Sequence, residues 1–232
     1  NMLEGDVVMI SDKFKNIGEY GAAGMYEEPH KSLFYRKALG IRRFYENGEL
    51  APYEGKALYP SGILPKKMSI YPSYLSGMNI DYNEVCKKDT ELANQFLSDF
   101  CKYHSSVPVE HTVAGSMYTH SMPNYERILK EGLLSYAERI ERIEDKDMCE
   151  GLIHVIEGIK CYISRCLDYL KASCADEKLI KALEKVPLYP AENIYEAIVS
   201  WNFILYLDNC DNLGCLASGL YPYYNGECVV DL

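Results

Sequence analysis

"LEKVPLYPAENIYEAIVSWNFILYL" (Leu183–Leu207) decides between a membrane segment and a buried helix. Pro187 and Pro190 bracket a break, and Pro190 stands where a first helical turn accepts proline. From Ala191 to Leu207 the stretch reads as a very apolar helix and includes Trp201, the only tryptophan. The run falls short of the roughly eighteen apolar residues of a spanning helix, and Asn202 interrupts it. A helix this apolar on all sides belongs in a protein core. Trp201 is therefore expected to be buried.

Outward from this stretch the spacing stays helical. Lys146–Ala172 carries Met148, Leu152, Val155, Ile159, Tyr162, Cys166 and Tyr169 on one face. Asn124–Ile143 reads as one helix through Tyr125, Ile128, Leu129, Leu133, Tyr136, Ile140 and Ile143. Asp176–Val186, Asp89–Tyr103 and Pro29–Asn47 read likewise, with Gly48 closing the last. "GEYGAAGM" (Gly18–Met25) reads as loop. "APYEGKALYPSGILPKKMSIYPSYLSGMN" (Ala51–Asn79) holds four of the ten prolines and reads as a long irregular connection. No useful strand alternation and no internal repeat appear, so the chain is expected to be mainly α. Asn1 precedes Met2 and reads as a scar of expression. Residues 1–28 form an N-terminal segment carrying it, and 29–232 form the helical domain.

The 232 residues are 48% hydrophobic, with a formal net charge of −10. Such a chain repels a phosphate backbone unless its cations are segregated, so nucleic acid is not an expected partner. The densest basic stretch, "YRKALGIRRFY" (Tyr35–Tyr45), spreads its charges around a helix and reads as a solvated face. No signal peptide follows Met2, and membrane attachment is not expected. The nine cysteines are odd in number and scattered, with no CxxC pair, which predicts reduced thiols and a cytoplasmic setting. His104, His111 and His120 cluster in an irregular region that Pro108 breaks, so no metal geometry can be read from them. There is no phosphate-binding glycine loop, GxSxG or HExxH. Glu141, Glu144, Asp145 and Asp147 read as a solvated turn between helices.

Four stretches resemble the glycyl radical enzymes, the pyruvate formate-lyase-like family. In Leu183–Leu207, Val186-Pro187 and Pro190 precede a helix with Tyr195-Glu196-Ala197 and Trp201, as in that family. "YPYY" (Tyr221–Tyr224) matches its Tyr-Pro-Tyr-Tyr. "HSMPNYERILKEGL" (His120–Leu133) is similar to its His-x-x-Pro-Asp-Tyr-Glu with a following Lys-x-Gly. "RKALGIRRFYENGELAPYEGKALYPSG" (Arg36–Gly62) fits more loosely. The better matches occur in family order, and the set spans Arg36 to Tyr224. The family places Gly-Arg-x-Asp-Gln-Tyr before Tyr-Pro-Tyr-Tyr. Here Gly214 keeps the glycine, while Cys215, Ala217, Ser218 and Gly219 replace the arginine, aspartate, glutamine and tyrosine.

The resemblance implies a part of a longer chain, one that folds as an α/β barrel wrapped by helices. This chain would supply outer N-terminal helices and one wall of a site for a small polar molecule. The family's radical cysteine lies in a Gly-Cys-Val/Ile-Glu loop, and Cys215 is followed two residues later by Ala217 instead. "VAGS" (Val113–Ser116) is only an echo of the radical glycine loop Arg-Val-x-Gly-Tyr, with Thr112 and Ser116 at its ends. No catalytic residue and no cofactor are therefore expected in this chain. A complete family member carries a glycyl radical installed by an S-adenosylmethionine-dependent activase, in anaerobic lyase chemistry. By the same resemblance, His120 and the Asn209–Asn212 turn, with Asn209, Cys210 and Asn212, are the substrate-binding candidates. Expected partners are the remaining barrel of the same polypeptide or a second copy in a homodimer. The rival reading is a free-standing, non-catalytic helical binding module, favoured by the lost arginine and Asp-Gln pair.

Overall fold

Helix ends here are fixed by short polar side chains, and helix crossings by glycines. The computed structural model describes residues 9–61, 82–106, 122–208 and 213–226. Among them are eleven α-helices and no strand: α1 (Ile10–Asn16), α2 (Tyr20–Glu27), α3 (Leu33–Asn47), α4 (Tyr82–Lys88), α5 (Thr90–Ser106), α6 (Tyr125–Glu131), α7 (Tyr136–Ile140), α8 (Lys146–Ala172), α9 (Glu177–Leu183), α10 (Ile194–Asp208) and α11 (Leu216–Leu220). Short 3-10 turns occupy Leu133–Ser135 and Tyr221–Tyr223. The mainly α architecture is thus as the sequence implies.

α8 is the longest element. Asp145 starts it by accepting the Met148 N–H at 3.0 Å, so the acidic junction includes a cap. Asp147 is not merely solvated either: it accepts the Ser32 N–H at 2.8 Å and pairs with Lys31 at 3.0 Å. α3 crosses α8 where glycines leave room. A Cβ on Gly158 would come within 2.9 Å of Arg42 Cα, and one on Gly151 within 3.0 Å of the Phe34 ring. Arg165 of α8 closes the end of α3, donating to the Tyr45 carbonyl at 2.6 Å and to that of Gly48. A cation there meets the negative end of the helix dipole.

α2 lies on the other side of α3. The loop expected at Gly18–Met25 is therefore a helix over most of its length. The small residues that read as loop are what the crossing requires, since a Cβ on Gly24 would sit 2.8 Å from Gly40 Cα. The basic stretch is corrected in the same place. Arg36 is only 5% exposed, and its Nε donates to the Met25 carbonyl at 2.7 Å. Arg43 forks onto Glu27 and pairs with Glu46 at 2.6 Å. Burial opposes the charge on Glu27, but Arg43 and Lys15 hold it below the usual carboxylate value.

Two apolar clusters result. The larger gathers Tyr45, Tyr59, Leu129, Tyr162, Cys166, Leu183 and Phe203, so it lies among α3, α6, α8, α9 and α10. The smaller joins Phe14, Met25 and Tyr26 to Val85 and Leu92. The single helix expected at Asn124–Ile143 is broken at Gly132, which has φ +73°. Beyond that break, Leu133 N–H donates to the Pro187 carbonyl at 2.9 Å and Leu134 N–H to that of Leu188 at 3.1 Å. No helix among the described residues is long and apolar enough to cross a membrane.

The cysteines that can be described are all free. Cys166 has no exposed surface, and burial pushes its thiol up to about 12. Cys174 and Cys215 are exposed. Brief alkylation of the folded protein followed by peptide mapping should therefore label Cys174 and Cys215 first. Cys166 should react only after denaturation, because the thiolate is the nucleophile. Labelling of Cys166 as fast as Cys174 would contradict this packing.

Candidate functional site

Trp201 organises the end of the molecule where the sequence places its candidates. α10 carries it into the core, where it is 4% exposed. Its ring stacks on Tyr125, with centroids 4.2 Å apart and planes within 9°. Its Nε1–H donates to the Leu213 carbonyl at 3.1 Å, which satisfies a buried donor. Gly214 then turns at φ +67°, and a Cβ on it would lie 2.4 Å from Met122 Sδ. A Cβ on Gly219 would lie 2.3 Å from Trp201 Cζ3. One indole thus joins the chain entering α6 to the chain leaving α10. Met122, Leu213, Leu216, Tyr221 and Tyr224 remain exposed in these stretches.

The candidate residues His120, Asn209, Cys210 and Asn212 lie outside the described residues. Their described neighbours do converge. Met122, two positions after His120, meets Gly214, two positions after Asn212. Cys215 stands at the start of α11, and hydrogen bonding from Ser218 draws its thiol below the ordinary value. Ser218 Oγ also donates to the Cys215 carbonyl at 3.1 Å. The Gly-Cys pair is accordingly a packing element: the glycine clears Met122, and the cysteine begins a turn. No cluster of three or more metal-ligating side chains occurs among the described residues.

The motifs that carried the resemblance lock onto one another. Tyr125 of "NYE" is the stacking partner of Trp201. Gly132 of "KEG" lies against "VPLYP", where a Cβ would meet the Leu188 carbonyl oxygen at 2.4 Å. Ala191 N–H donates to the Leu129 carbonyl at 2.9 Å. Glu196 of "YEA" accepts the Glu192 N–H and pairs with Lys185, both at 2.8 Å, while Asn193 Oδ1 accepts the Glu196 N–H at 2.9 Å. Asn193 thus caps α10, and Glu196 reaches back one residue beyond the cap.

Sequence reasoning missed a second polar centre at His154. Its Nδ1 lies 3.0 Å from Arg42 Nη1 and its Nε2 3.0 Å from the Tyr35 hydroxyl. The rings of Tyr35 and His154 meet edge to face at 5.1 Å. The available signal was the stripe Gly151, His154 and Gly158, two glycines flanking a histidine on one helix face.

No family model matches the chain, and no curated protein matches it. Solved structures do. One is a protein whose structure concerns 1,2-propanediol dehydration in Roseburia inulinivorans. The likeness has a TM-score of 0.61 at 16% identity, over 90% of this chain and 32% of that one. Another is the glycerol-bound form of the B12-independent glycerol dehydratase from Clostridium butyricum. Its TM-score is 0.57 at 17% identity, over 96% of this chain and 34% of that one. The chain spans about a third of the length of each structure, and the likeness is one of fold.

Proposed function

We propose that this chain is the helical N-terminal part of a glycyl radical enzyme, serving as scaffold and as one wall of a site for a small polar molecule such as a short polyol. The observation that carries the reading is the interlocking of the family-like motifs. Tyr125 on Trp201, and Gly132 on Leu188, belong to a fold shared with a third of a glycerol dehydratase. The wall would be the region around Trp201, with His120, Asn209, Cys210 and Asn212 supplying polar contacts. The sequence contains no Arg-Val-x-Gly-Tyr loop, so no step through a glycyl radical is derived from this chain. The radical-bearing loops would belong to further polypeptide, which is then the principal partner, in an anaerobic cytoplasm. The exposed Met122, Leu213, Tyr221 and Tyr224 offer apolar surface for it, or for a second copy.

The second reading, a free-standing binding module, draws on Cys215, Ala217 and Ser218 at the family's arginine, aspartate and glutamine positions. Sequencing the coding DNA past the Leu232 codon separates the two. An open frame running into Gly-Cys-x-Glu and a late Arg-Val-x-Gly-Tyr is the expected result, and an immediate stop codon sinks the proposal. Incubation of this chain with a glycyl-radical activase and S-adenosylmethionine, without oxygen, should leave it silent by electron paramagnetic resonance. A glycyl doublet would overturn the assignment of the radical loops to other polypeptide.

A further inference from the structure

The contact between α3 and α8 contains one titratable ring that chemistry forces into a single form. His154 sits between Gly151 and Gly158, whose lack of side chains makes room for Phe34 and Arg42 of α3. A guanidinium has donors only. Nδ1, at 3.0 Å from Arg42 Nη1, must therefore present a lone pair. The ring proton is then on Nε2, which donates to the Tyr35 oxygen at 3.0 Å. Arg42 is itself held, its Nε donating to Glu46 Oε1 at 2.7 Å. Tyr35 is buried, and the Lys31 ammonium lies 4.6 Å from its ring centroid. A second proton on the imidazole has only Nδ1 to occupy, and there it would point at a cation.

We propose that His154 is an acid-labile clamp: neutral, it ties α3 to α8, and on protonation it loosens the hold of α8 on α3 and on the α1–α2 layer that α3 carries. The charges around it are mixed. Burial opposes the proton first, and Arg42 and Arg43 from α3 oppose it next. Glu150 from α8 and Glu46 from α3 favour it. Asp147 and Glu150 are already occupied by Lys31, at 3.0 and 2.8 Å. The balance holds the imidazole below its ordinary value. The unfolded chain takes up its proton near 6.5, and the folded chain does so only at lower pH. Between those values the unfolded state binds more protons. The stabilisation is complete above 6.5 and is lost as pH falls below it.

Two measurements test the clamp. The first is an NMR titration of the His154 ring in the folded chain, with the urea-unfolded chain as reference. A ring protonated at Nε2, titrating below the unfolded reference, is expected. An Nδ1–H tautomer, or a titration at or above the reference, would overturn the proposal. The second compares urea unfolding of the wild type with His154→Gln, whose amide can accept from Arg42 and donate to Tyr35 without titrating. Between pH 7.5 and 5.5 the unfolding constant of the wild type should rise by up to about tenfold more than that of the variant. Equal pH dependence would refute the clamp. If the variant does not fold, hydrogen exchange of the α3 amides in the wild type decides. Protection should fall on acidification more for α3 than for α9, and a uniform change counts against loosening.

Discussion

Trp201→Ala should lower the free energy of unfolding by about 3–5 kcal/mol, as removal of a large buried aromatic does. Three partners lose at once: the Tyr125 face, the Leu213 carbonyl, and the backbone at Gly219 that the ring holds apart. A companion substitution separates packing from a general loss of structure. Gly219→Ala alone should destabilise, because its new methyl would stand 2.3 Å from a rigid ring carbon. In the Trp201→Ala background the same methyl enters a cavity, and its cost should vanish or change sign. Residues in contact show couplings of about 0.5–3 kcal/mol in such cycles. Additive effects, or an indole emission maximum typical of water in the wild type, would contradict the geometry.

The second large effect is expected at Gly132. Its φ of +73° and ψ of 160° lie in a region that essentially only glycine occupies. A Cβ there would also meet main-chain atoms, Leu188 O at 2.4 Å and Tyr189 Cα at 2.7 Å, which cannot swing aside as a side chain would. Gly132→Ala should therefore combine backbone strain of about 1–3 kcal/mol with overpacking of about 1–3 kcal/mol. Gly55→Ala is the control. Its φ is +72°, but nothing lies within 4 Å of the new atom, so only the backbone part should appear. Equal urea midpoints for the two variants would show that the "VPLYP" segment does not press on α6.

These two positions also show what the sequence could and could not disclose. Periodicity marks α8 from Lys146 to Ala172 end to end, because one face is buried from Gly151 to Leu170, most of its length. It also places Trp201 in the core, since α10 is apolar on all sides. It fails at Gly132, where the helix stops for a partner some fifty-five residues away that no local pattern contains. It fails at α2, where glycine and alanine serve a crossing with α3 and carry no local helix signal. It misreads Arg36, because a buried guanidinium looks like a surface one until Met25 and Tyr26 are in place. For the candidate site, resemblance indicated two distant stretches. The Met122–Gly214 approach shows that their flanks share one location, although His120, Asn209, Cys210 and Asn212 themselves lie outside the described residues.

The unequal reach of the two apolar clusters bears on the order of events during synthesis. The smaller one draws on residues from Ile10 to Phe96, so it can close while most of the chain is still unmade. The larger one needs Trp201, Phe203 and Ile204, and Tyr45 in α3 donates its hydroxyl to the Leu207 carbonyl at 3.1 Å. α3 therefore waits on the ribosome with one side covered by α2 and the other bare, until α8 and then α10 emerge. A nascent chain stalled between those two helices would present Tyr45, Tyr125 and Tyr162 without their α10 partners, the kind of exposed surface that chaperones bind and that drives aggregation.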